Sequence, residues 1–446
     1  GLPEWGTVSI IEPSPFDAGS AYVVVDAHRL DDMRPYLFKS TDYGASWKRL
    51  DAKLPQDIYL HSVREDPKKK GQLYLGTERG VMYSPDDGAT WQPLQLNLPT
   101  VAVHDLVVKD DDLVLATHGR SLWILDDLSP VREGAAALND GFRLYAPRDT
   151  YRWYYGSPPM RDRAAGENPP RGAAIIYALK DKPKNVSIEI KDAQGRLVRR
   201  LSSVAKVRID ADDNEEDPKP ELKLESGLQR AVWDLRWEGA ERIKGAKIDW
   251  GNPADGPVAV PGKYTVTLSV DGRTASAPLV IKPDPRSQVS QADLEAQLAF
   301  ALQIRDAFSR ITAGVSRLRA IKDQLVARKA SLQTLPKAEP LVKATEGAVA
   351  RIDAFEEDVH NPRAQVVYDI LAMKGGTKLY SRISPLMDFV TDGDGVPTQG
   401  AREVFAGQLK ELEQWEARVK QFIDGDIATL NAQASQLGIG FVAVPQ

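Results

Sequence analysis

The hydrophobic positions of the chain follow three different patterns, one after another. Over residues 1–128, short apolar runs such as AYVVVDAH at 21–28 and QLYLGTE at 72–78 are separated by turns rich in Gly, Pro and Asp. Short strands at such close and regular spacing are typical of a repeating sheet. We therefore predict a series of small β-sheets for this first region.

A second β-rich region follows a stretch rich in proline, glycine and arginine. Residues 129–171 form this stretch, which we predict to be a linker because each proline disfavours a helix at itself and at the residue before it. Residues 172–286 return to alternating patterns and are predicted to form a β-sandwich. Their acidic run at 210–221 favours a solvated loop over a Ca²⁺ site, because it has little apolar surface to bury.

In the last region the apolar residues recur three and four positions apart, which predicts helices. The first helix is expected to begin after an N-cap at Ser290, and further helices are expected over 337–359 and 398–437. We therefore predict a helical bundle over residues 287–446. The apolar residues that carry this spacing are Leu294, Leu298, Leu302, Ile304, Phe308, Ile311, Val315, Phe405, Leu409, Leu412, Trp415, Val419 and Phe422.

Composition narrows the class of protein. At roughly 100 to 200 residues per domain, 446 residues correspond to two to four domains. The net charge of −5 provides no basic surplus for phosphates, so we expect no nucleic-acid partner. No apolar run reaches the roughly 18 to 20 residues that span a bilayer, so no membrane span is expected. The absence of cysteine excludes disulfides, thiolate metal sites and cysteine nucleophiles.

A repeated turn sequence in the first region is the most informative motif. STDYGASW at 40–47 and SPDDGATW at 84–91 both read S-x-D-x-G-x-[ST]-W. In such a turn the aspartate can accept backbone N–H bonds, the glycine tolerates a positive φ, and the tryptophan packs between sheets. The residues predicted to build the two turns are Ser40, Asp42, Gly44, Trp47, Ser84, Asp86, Gly88 and Trp91.

This motif resembles the Asp-box, or BNR repeat, of β-propellers in sialidases, xyloglucanases and sortilin/VPS10-like proteins. The resemblance implies that each box marks the turn between the last two strands of a blade, away from the catalytic face. A third unit at 116–127 resembles the segment 76–87 but has no complete box. The order of parts also resembles large bacterial BNR-repeat proteins often labelled glycosyl hydrolases, which implies an extracytoplasmic location.

The resemblance implies about three propeller blades over residues 1–128. A propeller closes with about four to eight blades, and an open fan would leave apolar sheet faces uncovered. We therefore expect the remaining blades to come from the same precursor or from another chain. The predicted partners are these blades, together with a protein or glycan ligand.

The second β region resembles the FlgD-type Ig-like module. The resemblance rests on DAQGRLVR at 192–199, on Trp233-Asp234 and on PGKY at 261–264. Such modules serve as spacers or as adhesion and assembly domains, so the resemblance implies no chemistry for these residues. The predicted fold class is thus a partial β-propeller, an Ig-like β-sandwich and a C-terminal helical bundle.

Candidate channel or rim residues occupy matching places in successive predicted blades. His61 and His104 fall near the first strand of two blades, while Glu78 and His118 end the second strands and Arg120 lies close by. A first strand lines the channel of a propeller, so His61 and His104 could form a polar ring there, while Glu78, His118 and Arg120 could gather on one rim. Satisfied structural histidines are the simpler explanation for His61 and His104, and solvated turns explain the rim residues equally well.

We expect no cofactor and no metal site. The sequence DGDG at 392–395 begins like a calcium loop, but no glutamate occupies the twelfth position. A turn before an N-cap at Thr398 explains it more simply.

Two functional hypotheses remain, and the enzymatic one lacks identified residues. G-x-S-x-G, H-E-x-x-H and P-loop motifs are absent, and neither a sialidase-like nor a xyloglucanase-like set of residues can be assembled. The leading hypothesis is a non-catalytic binding and assembly protein whose completed propeller presents a protein- or glycan-binding face. The alternative is the C-terminal portion of a glycoside hydrolase with its catalytic carboxylates in the missing blades.

Overall fold

The structure, a computed structural model, combines β-sheets with a helical C-terminal region, as the change of pattern predicts. It divides into two compact units, one of Gly1–Ala146 with Glu167–Pro169 and Ile176–Lys180, the other comprising the rest of the chain. The residues that the structure describes are 2–134, 138, 141–153, 168–205, 219–332, 338–371, 375–440 and 442–445.

The first unit contains three antiparallel sheets that follow one another along the chain. Their strand orders are β1-β2-β3-β4, β5-β6-β7-β8 and β11-β10-β9, so each sheet is a simple meander, and β5 contacts both β1 and β9. We call them the first, second and third sheets. The strands are β1 (Thr7–Pro13), β2 (Ala21–Asp26), β3 (Leu37–Ser40), β4 (Lys48–Arg49), β5 (Leu60–Glu65), β6 (Leu73–Thr77), β7 (Gly80–Ser84), β8 (Gln92–Pro93), β9 (Val103–Lys109), β10 (Asp112–Thr117) and β11 (Leu122–Leu125).

Alternation along the strands gives the second sheet two buried faces. Leu73 and Leu75 of β6 join a core with Tyr22 and Val24 of the first sheet. Tyr74, which lies between them in the sequence, joins a second core with residues of the third sheet. Because successive side chains of a strand point to opposite faces, the apolar run of β6 packs against the first sheet on one side and the third sheet on the other.

Where it is described, the predicted linker contains regular elements. They are α1 (Ser129–Glu133), β12 (Phe142–Leu144) and β13 (Thr150–Arg152). Arg132 of α1 donates to fully buried Asp66 at 2.8 Å and also to Asp111, which ties the helix to the second and third sheets. The predicted linker is therefore partly folded, because the ion pairs of Arg132 with Asp66 and Asp111 hold α1 in place. Residues 154–167 of this stretch lie outside the described residues.

The second unit contains a five-stranded sheet of order β13-β19-β18-β15-β16, in which β13 runs parallel to β19 and the other pairs are antiparallel. Trp233 and Tyr264 are buried and meet edge to face with ring centroids 5.3 Å apart. Most of the predicted acidic loop, residues 210–218, lies outside the described residues. The remaining strands are β15 (Val186–Asp192), β16 (Leu197–Ser202), β17 (Gly227–Trp233), β18 (Gly262–Val270) and β19 (Arg273–Pro283). The strand β14 (Ala173–Leu179) is divided, because its residues from Ile176 onward belong to the first unit, where they pair with β12.

The helices of the second unit begin at the predicted caps. The backbone N–H of Asp293 donates to the Ser290 hydroxyl, and that of Ala401 donates to the Thr398 hydroxyl, both at 3.2 Å. No helix of the described residues is both long and apolar enough to span a membrane. The helices are α2 (Gln291–Leu332), α3 (Glu339–Val359), α4 (Val367–Leu371), α5 (Leu379–Thr391), α6 (Gln399–Phe422) and α7 (Ala428–Gln436), with a π-helical turn at Ile423–Ile427 between the last two.

The segment between β17 and β18 shares a core with the helices, although the sequence predicts a domain boundary at 286. Ala240 and Ile243, from the segment between β17 and β18, belong to the same buried cluster as the apolar residues of α2 and α6. The Ile243 N–H donates to the Tyr380 hydroxyl at 3.2 Å, and the Thr312 hydroxyl donates to the Glu241 carbonyl at 2.8 Å. The division into compact units accordingly does not fall at 286.

A buried ion network gives the bundle a testable dependence on pH. Glu356 accepts hydrogen bonds from Arg319 at 2.6 Å and pairs with His360 at 2.9 Å. Burial alone would raise the pKa of Glu356, but these two partners lower it to about 2. A carboxyl whose pKa is lowered in the folded state contributes stability above its ordinary value of 4.5, and this contribution is lost as the pH falls toward about 2.

We predict that Glu356→Gln destabilises the chain by about 1.5 to 3 kcal/mol at neutral pH, since it removes the charged partner of Arg319, whose side chain is 32 % exposed. The difference from the wild type should shrink as the pH falls from about 4.5 to 2. Urea unfolding at several pH values measures it. Exposed Glu357→Gln is the matched control, and an equal loss from both variants would contradict the assignment.

Candidate functional site

Both Asp-box segments form the same hydrogen-bonded turn, between β3 and β4 and between β7 and β8. In the second turn, Asp86 accepts the Thr90 N–H at 2.8 Å and the Thr90 hydroxyl at 2.7 Å. The Ser84 hydroxyl donates to Asp86 at 2.8 Å and accepts the Gly88 N–H at 2.9 Å. Ser40, Asp42, Gly44 and Ser46 repeat this set in the first turn.

The carboxylates of the two box aspartates, Asp42 and Asp86, accept hydrogen bonds within their own turns. The bonds from Ser46 lower the pKa of Asp42 below its usual value. Partial burial would raise the pKa of Asp86, but the bonds from Thr90 outweigh it and lower the pKa. These carboxylates therefore act within their turns, which is a structural role.

The second box also connects two sheets, whereas the first does not. The Asp87 carboxylate accepts the Tyr22 hydroxyl at 2.8 Å and the Lys39 ammonium at 2.6 Å, both from the first sheet. Trp91 donates its indole N–H to the Leu50 carbonyl at 3.1 Å. Trp47, its counterpart in the first box, is 38 % exposed. Of the two box tryptophans, Trp91 thus packs between sheets as predicted, whereas Trp47 does not.

Four of the five histidines meet in a row of rings that we call the histidine row: His28, Tyr59, His61, His104 and His118. His28 stacks on Tyr59 with centroids 4.5 Å apart, and Tyr59 meets His61 edge to face at 5.2 Å. The centroids of His61 and His104 are 4.3 Å apart, and those of His104 and His118 are 4.7 Å apart. The row therefore runs across all three sheets.

β-Bulges place the two central histidines in this row. The pairing of β5 with β6 shifts between Leu60 and Ser62, which makes His61 the extra residue. The pairing of β9 with β10 shifts at the corresponding place, between Val103 and Asp105, which makes His104 the extra residue. A bulge re-aims the side chain that it inserts and is frequent beside functional sites. The sequence alone does not reveal this feature.

Carboxylates hold one end of the histidine row. Asp26 pairs with His28 Nδ1 at 2.6 Å, and Glu78 pairs with His61 Nε2 at 3.1 Å. Burial alone would raise the pKa of Glu78, but bonds from Tyr59 and His61 lower it. Burial and the bond to Glu78 raise the pKa of Tyr59 to about 12. At neutral pH this end combines an ionised carboxylate with a neutral phenol.

The other end of the row is open to solvent. The side chains of His104, His118 and Arg120 are exposed, and within the described ranges none of them makes a hydrogen bond or an ion pair with protein. Burial, and then the neighbouring His61 and His118, lower the pKa of His104. In the described part of the chain, no three His, Asp or Glu side chains are placed to hold a metal ion together.

An ion network joins the first strands of the three sheets. Arg64 of β5 pairs with Glu12 of β1 at 3.4 Å and with Asp105 of β9 at 3.0 Å. Burial raises the pKa of Glu12, although Arg64 opposes this rise. Both carboxylates thus share one guanidinium, an arrangement that ties the sheets together.

The structure brings together the predicted residues His61, His104, Glu78 and His118, and it adds residues that sequence reasoning missed. Arg120 lies next to this group in the sequence, and its carbonyl accepts the Trp123 indole N–H at 3.0 Å. Matching positions alone did not identify His28, which lies two residues after the end of β2, whereas Glu78 and His118 directly follow β6 and β10. They did not identify Tyr59 either, whose place in the row depends on its ring contacts with His28 and His61.

No protein family and no curated protein matches the chain. Solved structures with partial similarity include a GH74 enzyme of Niastella koreensis, 10% identical over 61% of this chain and 46% of that one, with a TM-score of 0.22. Another is YCF48 bound to D1 peptide, 12% identical over 62% and 67%, with a TM-score of 0.19. A third is CopC of Methylosinus trichosporium OB3b, 17% identical over 26% and 79%, with a TM-score of 0.13. The chain thus spans less than half the length of that GH74 enzyme.

The two box glycines should respond differently to alanine. Gly44 and Gly88 have φ of +85° and +83°, a region that costs a residue with a Cβ about 1 to 2 kcal/mol. An added Cβ at Gly88 would also lie 3.0 Å from Leu50 Cβ, whereas at Gly44 the nearest atom lies at 3.6 Å. We predict that Gly88→Ala costs about 1 to 3 kcal/mol more than Gly44→Ala in urea unfolding.

Gly119→Ala is the control for backbone strain alone, because φ is +90° there and no atom lies within 4 Å of the added Cβ. Equal losses from all three variants would show that the contact with Leu50 is unimportant.

Proposed function

We propose that the chain is a non-catalytic binding and assembly protein, whose three N-terminal sheets are blades of a larger Asp-box propeller. Further blades, from the same polypeptide or another, would complete the ring, and the completed propeller would present the histidine row as a binding face. An extracytoplasmic location is part of this proposal and rests on the sequence resemblance.

The single observation that carries the proposal is an exposed apolar face on the third sheet. In the second sheet, Tyr74 pairs with Tyr83, and both pack toward the third sheet. In the third sheet, Val114 pairs with Ile124 in the same register, yet Ile124 is 57 % exposed. Leu122, two pairs further along and on the same face, is 68 % exposed.

The same positions are thus buried where a next sheet follows and exposed where none does. Leu113 and Leu115, on the opposite face of the third sheet, are 1 % and 5 % exposed against the second sheet. A contiguous apolar face of this kind marks an interaction site rather than an ordinary surface. A further sheet with an apolar face of its own is the occupant that fits, because it would continue the stacking of the first three.

The third sheet also lacks the outer strand of its predecessors. The first and second sheets each end in a short strand after an Asp-box, whereas in the described residues the third sheet ends at β11. The segment after β11 has no box and enters α1 instead. β11 therefore keeps an open edge, which is a second place where a completing strand can pair.

The inner carboxylates of the three described sheets are held in ion pairs, so a hydrolytic pair would have to lie in the adjoining blades. Hydrolysis needs one carboxyl group as an acid and a second as a base or nucleophile across the scissile bond. Glu12 and Asp105 are instead both paired with Arg64, and Glu78 is held by His61. These carboxylates hold the sheets and the row together, which is consistent with a binding face.

The experiment is to measure self-association and assembly through the third sheet. We expect the chain alone to associate with rising concentration in sedimentation velocity, and Leu122→Thr with Ile124→Thr to reduce this association. The paired variant should also lose binding to a co-expressed segment that carries the adjoining Asp-box sheets. Val204→Thr, at a residue 63 % exposed in the second unit, is the matched control.

A wild-type chain that stays monomeric at all concentrations, and that binds the adjoining sheets equally well after both substitutions, would contradict the proposal. Turnover of a glycan by the complete assembly, abolished by one Asp→Asn change in an adjoining sheet, would favour the hydrolase instead.

A further inference from the structure

The open end of the histidine row has the chemistry of an anion site. His104, His118 and Arg120 present N–H donors to solvent, and within the described residues no protein acceptor engages them. Arg120 follows His118 by two residues, and a guanidinium and protonated imidazoles all favour carboxylates, because hydrogen bonds to charged groups are stronger than neutral ones. The carboxylates that contact the row, Asp26 and Glu78, are already paired with His28 and His61.

We propose that this open end binds the carboxylates of an acidic peptide segment on a protein partner. The inference deepens the proposed binding face and therefore rests on that proposed function. The ligand is an acidic peptide, and the side chains that would contact it are His104, His118 and Arg120.

Ring geometry favours a peptide over an acidic glycan. The planes of His104 and His118 lie 23° apart with centroids 4.7 Å apart, and His104 also lies against His61. The His104 ring therefore lies against two other histidine rings, which leaves less of its face open to a sugar than its edge is open to a carboxylate. Stacking of a sugar needs an open aromatic face, whereas a carboxylate needs only the N–H edges.

The two bulges support a functional reading of the row. Each inserts one extra residue into the first strand of a sheet, at corresponding positions, and in both cases that residue is a histidine. A bulge interrupts the ladder and leaves its extra residue unpaired, so it is a recurrent device for aiming a side chain. In the first sheet the corresponding shift lies between Val8 and Ile10, and its extra residue is Ser9.

Binding should strengthen as the pH falls toward the range in which imidazoles take up protons. His104 takes up its proton at a lower pH than an ordinary imidazole, because burial and its neighbours His61 and His118 lower its pKa. An anionic ligand offsets the repulsion among these rings, so binding and protonation favour each other. The charged and titratable groups around the row are Glu12, Asp26, His28, Asp57, Tyr59, His61, Arg64, Glu78, Arg79, Asp105, His118 and Arg120.

The test uses the whole chain and a short peptide of alternating glutamate and glycine, followed by fluorescence anisotropy. We expect saturable binding that tightens about tenfold between pH 7.5 and pH 5.5. His118→Gln and Arg120→Gln should each weaken it about tenfold, and Arg120→Lys should retain part of it. Lys109→Gln, at the opposite end of β9 from His104 and with a side chain that is 75 % exposed, is the matched control and should leave binding unchanged.

Three results would overturn the proposal: equal binding of a glutamine and glycine peptide, equal or tighter binding of an oligogalacturonate, or equal losses from Lys109→Gln and His118→Gln. Thermal melting of each variant establishes that it is folded. Since Leu122 and Ile124 belong to β11 and not to the histidine row, their substitution should leave peptide binding intact. Failure of the assembly experiment is therefore distinguishable from failure of this one.

Discussion

Burial of both faces of a sheet is the constraint on which the first unit depends. A meander with apolar residues on alternate sides cannot bury both faces alone, so each face needs a cover from a neighbouring sheet or from another part of the chain. The second sheet meets this condition through Leu73 and Leu75 on one face and Tyr74 on the other. The third sheet meets it on one face only. Its exposed Leu122 and Ile124 follow from the same alternation that builds the core.

The Asp-box turns, the ion pairs and the histidine row all rely on this stacking. Asp87 and Trp91 reach from the second box to the first sheet, and Arg64 joins the first strands of all three sheets. The ring contacts likewise cross from sheet to sheet. Apolar burial sets the spacing of the sheets, and the polar contacts then fix their register. The row exists because bulged strands from different sheets are held side by side.

Much of the fold is visible in the sequence, because it depends on local patterns. The periodicity of the apolar residues predicts the change from strands to helices, and the caps at Ser290 and Thr398 were readable from one residue each. Sequence patterns do not predict the strands β12 and β13, the shared core around Ile243 or the π-helical turn. These features depend on contacts with residues that are distant in the sequence. For the candidate site, matching positions along the repeat identified His61, His104, Glu78 and His118. The bulges and the stacking that join them were beyond the reach of spacing alone.

The central claim is that a further sheet packs on the third sheet and pairs with β11. Hydrogen–deuterium exchange of the backbone amides of β11 is its most direct test. β11 is the edge strand of its sheet, whereas β7 pairs on both sides. In the chain alone, β11 should exchange much faster than β7, and it should become protected when the adjoining sheets are added. Protection of β11 equal to that of β7 in the isolated chain, with no change on addition, would contradict the account.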